Sequence, residues 1–309
     1  MNCFYMLKII FRMSDNPFFS IVLPNYNHGH YLKDAIDSVL NQDFENWELL
    51  IIDNYSTDNS DKVISSYNDY RIHIFKIQNE GIIAKSRNLG IQKAKAKWIA
   101  FLDSDDIWYF NKLSTLIELI DFDYDIICSN EYRHDLAKGN KKPLYYNLKS
   151  NNFYRELLEK GNSLSTSSTI VSRDFLNKKK LFFNENPNFI TVEDYDFWMQ
   201  IALEKGSFGF CKEFLGEFRI HQNNNSNNFK LHSNNLIKLL KNHVYEIQDF
   251  SEKDELWNKI KPRLTLMLIR GHFEINFLKG FKYLVYKLMN SKWEHLHKVI
   301  ILIISKSKR

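Results

Sequence analysis

Cysteine is scarce in this 309-residue chain: Cys3, Cys128 and Cys211 are odd in number and widely spaced. That pattern argues against a disulfide framework and fits a reducing cytoplasm. None of the three stands in a CxxC pair or a Cys/His cluster, which speaks against a structural zinc site. Long apolar runs are also missing. The longest candidate near the end, Val299 to Ile304, falls well short of the roughly 20 residues that span a bilayer. Met1 to Arg12 is apolar but has no charged leader followed by a small-residue cleavage site. Met13 is an alternative start, because the strand–helix pattern begins only after it. Glycine is thin where a phosphate cradle would need it: Pro24 to His30 holds one, Gly29.

What is present is a globular composition, with 44% hydrophobic and 15% aromatic residues, enough for a large buried core. The net charge of +5 is unevenly placed. Leu256 to Arg309 carries twelve Lys and Arg against two acids, Glu274 and Glu294, so a tail of +10 follows a body of −5. A basic tail of this kind points either to an anionic surface as partner or to a solvated helix face. The basic residues avoid the acidic segments described below and match no nucleic-acid module, so no nucleic-acid partner is expected.

The first 130 residues alternate strand-like and helix-like runs. Phe18 to Leu23, Trp47 to Ile52, Arg71 to Ile77 and Trp98 to Leu102 read as strands. Tyr31 to Asn41, Asp61 to Tyr67 and Ile83 to Ala96 read as the helices between them. This alternation predicts an α/β fold with a mainly parallel, Rossmann-like sheet flanked by helices. Ligands bind such sheets at the carboxyl ends of the strands. Three of those ends are polar: Pro24-Asn25-Tyr26-Asn27, Asp53-Asn54-Tyr55-Ser56 and Asp103-Ser104-Asp105-Asp106. Residues 131–229 mix short strands and helices. Beyond Phe229 the pattern is helical, with Leu236, Leu239, Leu240 and Val244 at helical spacing.

Five elements carry candidate chemistry. Asp103-x-Asp105 places hard oxygen ligands together, suited to Mn²⁺ or Mg²⁺ that completes its shell with phosphates. The plainer alternative is capping of a helix that starts near Tyr109. Asp53 would accept a hydrogen bond from a base, or else form an Asx-turn. Glu193-Asp194-Tyr195-Asp196-Phe197-Trp198 offers carboxylates for a general base, or for stabilising a helix end. In that segment Phe197 and Trp198 would turn inward. His221 is a candidate metal or phosphate contact. Arg87 would pair with Asp103 or neutralise a diphosphate, or else form a surface salt bridge. Ser165-Thr166-Ser167-Ser168 reads as a pocket lining or a polar strand edge.

In this order and spacing the motifs resemble the family 2 glycosyltransferases of the GT-A fold, over roughly residues 18–222. The likeness rests on Ser20 to Asn27, Ile52 to Asp58, Ala84 to Gly90, Phe101 to Trp108 and Glu193 to Trp198. It implies an inverting enzyme that moves a sugar from a nucleotide-diphosphate donor to a glycan or lipid-linked acceptor hydroxyl, in surface polysaccharide or lipopolysaccharide synthesis. By the same resemblance Pro24 and Tyr26 border the nucleotide, Asp53 holds the base, and Asp103 lies by the ribose and diphosphate. Asp105 would hold the metal, with His221 as a further contact. Asp194 would be the catalytic base, supported by Glu193. The expected division is a catalytic domain at 14–229, with halves at about 14–130 and 131–229, and a helical basic region at 230–309 that meets a membrane or another subunit. Two departures stand out. Asn54 and Tyr55 replace the Asp and Gly that many relatives carry, and the Gln-x-x-Arg-Trp motif of processive synthases is absent. A non-catalytic alternative is a degenerate transferase that only binds sugar nucleotides or serves as a scaffold.

Overall fold

The structure is a computed structural model. It describes residues 16–275 apart from 121, 148, 149, 151, 223, 225–227 and 249, together with 279 and 282–284. Met13, the apolar start, the run Val299 to Ile304 and the tail aromatics Phe277, Phe281, Tyr286 and Trp293 lie outside the described residues.

The chain forms two compact units. The first runs through Leu148 and includes Ser163–Asn224; the second joins Lys149–Asn162 to the chain from Asn225 onward. The expected boundary at 229 assigns residues 149–162 to the first unit. The structure groups them with the C-terminal helices, because an amphipathic helix there supplies part of that second core.

In the first unit, β1 (Phe19–Asn25), β2 (Trp47–Asp53), β3 (Ile72–Lys76) and β4 (Trp98–Phe101) are parallel neighbours in the order β3-β2-β1-β4. The helices α1 (Gly29–Leu40), α2 (Ser60–Ser65) and α3 (Ile83–Lys93) connect them. β5 (Ile107–Trp108), α4 (Lys112–Ile120), β6 (Ile126–Asp135) and the edge strand β7 (Asn140–Leu144) follow. β8 (Thr169–Ser172) inserts antiparallel between β4 and β6, and β9 (Phe208–Ile220) runs parallel to β6 and antiparallel to β5. The sheet is therefore parallel where the sequence alternates strand and helix, and mixed beyond it. α6 (Arg173–Lys179) and α7 (Glu193–Leu203) complete this unit.

Strand alternation divides the core. Phe19, Ile21, Leu23, Leu49 and Ile51 share one cluster with Leu32, Ala35, Ile36 and Val39 of α1 and Leu113, Leu116 and Ile117 of α4. On β4, Phe101 meets Phe183 edge-on, and Phe183 stacks on Phe197 at 4.0 Å. Phe197 and Trp198 are fully buried, so α7 is anchored by the inward residues its pattern predicts. α3 lies so close to β1 that a Cβ at Gly90 would sit 2.3 Å from Val22 Cγ1.

The second unit contains α5 (Phe153–Lys160), α8 (Phe229–Asn242), a π-helical turn (His243–Ile247) and α9 (Lys253–Ile275). Its core is Leu157 and Leu158 of α5, Leu236, Leu239 and Leu240 of α8, and Leu256, Ile260, Leu264 and Ile269 of α9. α5 stops at Gly161, whose φ of 106° suits glycine. The Arg263 guanidinium occupies the space a side chain would take there, and donates to the Leu158 carbonyl at 3.3 Å.

Candidate active site

The acidic turn after β4 does not cap a helix: α4 begins only at Lys112, and Ile107–Trp108 pair as a strand instead. Three carboxylates this close survive because each finds different partners. Asp103 Oδ1 accepts from Arg87 Nη2 at 2.8 Å. Asp105 Oδ2 lies 3.0 Å from His221 Nε2 and accepts from Asn224 Nδ2 at 3.2 Å. Asp106, 1% exposed, accepts from Ser167 Oγ and from the Arg219 backbone at 2.8 Å. Burial raises the Asp105 pKa, but the His221 contact and the nearby imidazoles outweigh it and hold the group below its usual value. Asp106 moves well upward, first through burial and then through the neighbouring charges of Asp105, Glu131 and Asp103.

Ser165–Ser168 precede the strand and are not part of it, since β8 begins at Thr169. Thr166–Ser168 make a buried 3-10 turn behind the acidic segment. Ser167 Oγ accepts from the Asp103 amide at 3.1 Å, and its carbonyl accepts from Trp108 Nε1 at 2.7 Å. Sequence reading named Asp106 only as part of the acidic motif and Ser167 only within a polar run. The contact between them spans 61 positions, and no local pattern states it.

His221 follows β9 and is held from α1. Tyr31 stacks on it at 4.3 Å, and Arg219 bonds Asp34 at 2.7 Å. His28, also missed in the sequence, meets His221 edge-on at 5.8 Å and contacts Ser104 Oγ through Nδ1 at 2.9 Å.

Arg87 is no surface group. It is 3% exposed and joins Asp103 to Glu193, with Nη1 donating to Glu193 Oε1 at 2.8 Å across 106 positions of sequence. The neighbouring Asn88 explains the geometry. Its amide pairs with the backbone of Phe183 through two bonds of 2.8 and 2.9 Å, drawing the segment before α7 onto α3. Burial alone would weaken the guanidinium, but Asp103 and Glu193 outweigh it and keep Arg87 charged.

Asp194, beside Glu193 at the start of α7, accepts from the Tyr195 amide at 2.7 Å. Its pKa is pushed up to about 7, first by burial and then by the Glu193 charge, against the opposing pull of Arg87. Such a carboxylate is poised to take up a proton near neutrality.

At the β2 end the acid is engaged by its own loop and by neighbouring strands. Asn25, Asp53 and Lys76 are register neighbours across β1, β2 and β3. Asp53 is fully buried, and four donors fill its oxygens: Asn25 Nδ2 at 2.8 Å, Ser56 N at 3.0 Å, Ser56 Oγ at 2.6 Å and Lys76 Nζ at 3.1 Å. An ionised carboxylate offers about four lone-pair sites. These bonds form the Asx-type turn that the sequence offers as the plainer reading of Asp53, and they brace the loop. Burial raises its pKa, yet the Ser56, Asn25 and Lys76 bonds prevail and hold it low. Pro24 is buried within β1, whereas Tyr26 is 55% exposed. Tyr55 is 59% exposed at φ 49°, a left-handed conformation that costs an ordinary residue roughly 1–2 kcal/mol.

A divalent cation is the cofactor implied by the motif. Asp105 Oδ2 and His221 Nε2 stand at the separation of adjacent corners of an octahedron with ligand bonds of roughly 2.1 Å, so the pair fits. Among the described residues no cluster of three or more His, Cys, Asp or Glu side chains converges. Two protein donors suit ions that take their remaining ligands from phosphates and water.

The comparisons with known proteins agree with this architecture. The family model for glycosyl transferase family 2 matches residues 20–179. Glycosyltransferase GlyG of Streptococcus pneumoniae is 32% identical over 177 residues, 54% of this chain and 58% of that protein. The chain thus spans little more than half of GlyG. Escherichia coli WfgD, a UDP-Glc:alpha-D-GlcNAc-diphosphoundecaprenol beta-1,3-glucosyltransferase, is 30% identical over 226 residues, 70% of this chain and 83% of that protein. Among solved structures, S. aureus TarS 1-349 in complex with UDP-GlcNAc superposes with a TM-score of 0.63 at 19% identity, over 92% of this chain and 78% of that one. Mannosyltransferase PcManGT from Pyrobaculum calidifontis, in complex with GDP-Man and Mn²⁺, gives 0.59 at 11% identity, over 98% and 86%. These structural likenesses establish the GT-A fold. By its match to the family model and by its relatives, the chain belongs to glycosyl transferase family 2.

Proposed function

We propose that the protein is an inverting glycosyltransferase that moves one sugar from a nucleoside-diphosphate donor to a hydroxyl of a glycan or lipid-linked acceptor. The observation that carries this reading is the Asp103–Arg87–Glu193 bridge. It joins the strand end where a diphosphate would lie to the helix start that carries a base.

In the proposed reaction, Asp194 takes the proton of the acceptor hydroxyl as that oxygen attacks the anomeric carbon. The bond from that carbon to the diphosphate oxygen breaks, and its electron pair leaves with the nucleoside diphosphate. Arg87 holds Glu193 and Asp103 in place and lowers the electrostatic cost of an anionic donor beside three carboxylates. Asp105 and His221 would hold a divalent cation, which when bound neutralises charge on the diphosphate. PcManGT, solved in complex with GDP-Man and Mn²⁺, supports a divalent cation as the cofactor. The likeness to WfgD, which acts on a GlcNAc-diphosphoundecaprenol, supports a lipid-diphosphate-linked acceptor and a role in surface glycan synthesis. The basic C-terminal tail supports peripheral contact with an anionic membrane. No described helix is long and apolar enough to cross one.

Calorimetry with a panel of nucleotide sugars, with Mn²⁺ and with chelator, tests the reading on wild type and on Asp105→Ala. Binding of one donor that needs Mn²⁺ and is lost in Asp105→Ala is the expected result. No binding of any donor with metal present overturns it. Donor turnover with and without added acceptor separates an enzyme from a binding scaffold.

A further inference from the structure

The strand pair β6–β7 extends the sheet beyond the acidic turn. Partners across an antiparallel pair share a face, and every second residue of a strand returns to it. Glu131 with Leu144, Arg133 with Lys142, and Asp135 with Asn140 are such partners, so they form a row on one face. At the inner end of that row Glu131 is buried and accepts from the Tyr146 hydroxyl at 2.6 Å. It is close enough to the acidic turn to act on the charges of Asp106 and Asp103. One residue pair further out, roughly 7 Å along the strands, stand Arg133 and Lys142. Both are exposed.

Other cations of this hairpin are matched. Lys141 and His134 both engage Glu217, His134 through Nδ1 at 2.7 Å, and Lys138 pairs with Asp135 at 3.4 Å. Arg133 and Lys142 differ: among the described residues neither has an ion pair or a side-chain hydrogen bond. Like charges directly opposite across two strands are destabilising, so this pair is held at a cost. Protection of a sheet edge accounts for a lysine on β7. It does not account for the arginine, because β6 is an inner strand with β9 on its other side. Phe218, the register neighbour of Arg133 on β9, is half-buried and adds an aromatic ring to the same face.

We propose that Arg133 and Lys142 hold the diphosphate of a lipid-linked acceptor, so that the acceptor sugar is oriented by its own anionic link. This rests on reading the chain as a transferase to such an acceptor, and it names the side chains that would select one. Two unmatched cations on one face complement an anion that bridges them. Arginine offers a planar fork of donors and lysine a compact charge, a combination suited to two phosphate groups in series. The pair is separate from Arg87, Asp105 and His221, which the proposed reaction assigns to the donor.

The test is calorimetry on the full chain saturated with Mn²⁺ and whichever of UDP or GDP it binds, so that the donor site is filled. The probes are GlcNAc joined through a diphosphate to a hexyl chain, and the hexyl glycoside of GlcNAc, which lacks the anion. Wild type is expected to bind the diphosphate probe at least about tenfold more tightly, the worth of one charge-assisted hydrogen bond. The Arg133→Gln/Lys142→Gln double variant is expected to lose that preference and to keep wild-type affinity for the nucleoside diphosphate. Its urea midpoint is expected to be equal or higher, because the repulsion is gone. Equal binding of the two probes by wild type, binding of neither, or a preference that survives in the double variant overturns the assignment. So does an equal loss of nucleoside diphosphate affinity in that variant. A wild type that binds neither UDP nor GDP overturns the functional reading itself.

Discussion

At the scale of single residues, Asp194, as the proposed base, would set the pH at which this protein works. Burial and the Glu193 charge raise its pKa to about 7, while Arg87 restrains the rise and Asp103 adds to it. A base must be ionised to accept a proton, so activity rises as pH rises through that value. The kcat/KM profile is expected to climb to a plateau above pH 7 and to fall about tenfold for each unit below it. Asp194→Asn is expected to lower kcat by about 10²–10⁴ and to abolish that limb. An acid limb that persists unchanged in Asp194→Asn would assign the base elsewhere. The candidate carboxylates and His221 were legible from their place after apolar strands or at a helix start. The Arg87–Asp103 pairing was among the readings of Arg87, but the other partners were not legible. Arg87 and Glu193 are 106 positions apart, and the saturation of Asp53 depends on strand register with Asn25 and Lys76, which no local pattern states.

At the scale of elements, the packing of α3 on β1 sets where Arg87 stands. Gly90 lies one helical turn along α3 from Arg87 and allows the helix to approach Val22. Alanine there would improve helix propensity by about 1 kcal/mol. Its Cβ would meet two Val22 methyl carbons at 2.3 and 2.8 Å, and overpacking of that kind costs about 1–3 kcal/mol. The clash wins. Gly90→Ala is expected to lower the urea midpoint without changing the slope, and a double-mutant cycle with Val22→Ala is expected to show coupling. Additive effects would mean that the helix shifts freely. The strands and helices before residue 103 were legible because period-2 and period-3.6 patterns alternate cleanly there. The antiparallel insertion of β8 was not, since Thr169–Ser172 is too short to declare its neighbours.

At the scale of the whole molecule, charge is divided between a body of −5 and a tail of +10. Much of that tail lies outside the described residues, and its charge is a property of the sequence. Each Lys or Arg near an anionic surface contributes about 1 kcal/mol, screened within a Debye length. The full chain is expected to co-sediment with phosphatidylserine–phosphatidylcholine vesicles at low salt, and to be released when salt is raised to about 0.5 M. Equal retention on pure phosphatidylcholine would show that the charge is not what binds. The helical character of 229–275 was legible from its spacing; the rest of the expected helical tail lies largely outside the described residues. The membership of α5 in that unit was not, because fourteen residues between two chain segments of the first unit give no compositional sign of leaving it.

The single guanidinium of Arg87 has a consequence for how this chain can change over time. One cation is shared by two carboxylates on different elements, so positions 87, 103 and 193 depend on a single positive charge. A neutral residue at either acid leaves the other still paired, whereas loss of the arginine strands both at once. Substitution histories through these three sites are therefore ordered: the acids can be lost before the arginine, but not after it without a partner arriving from elsewhere.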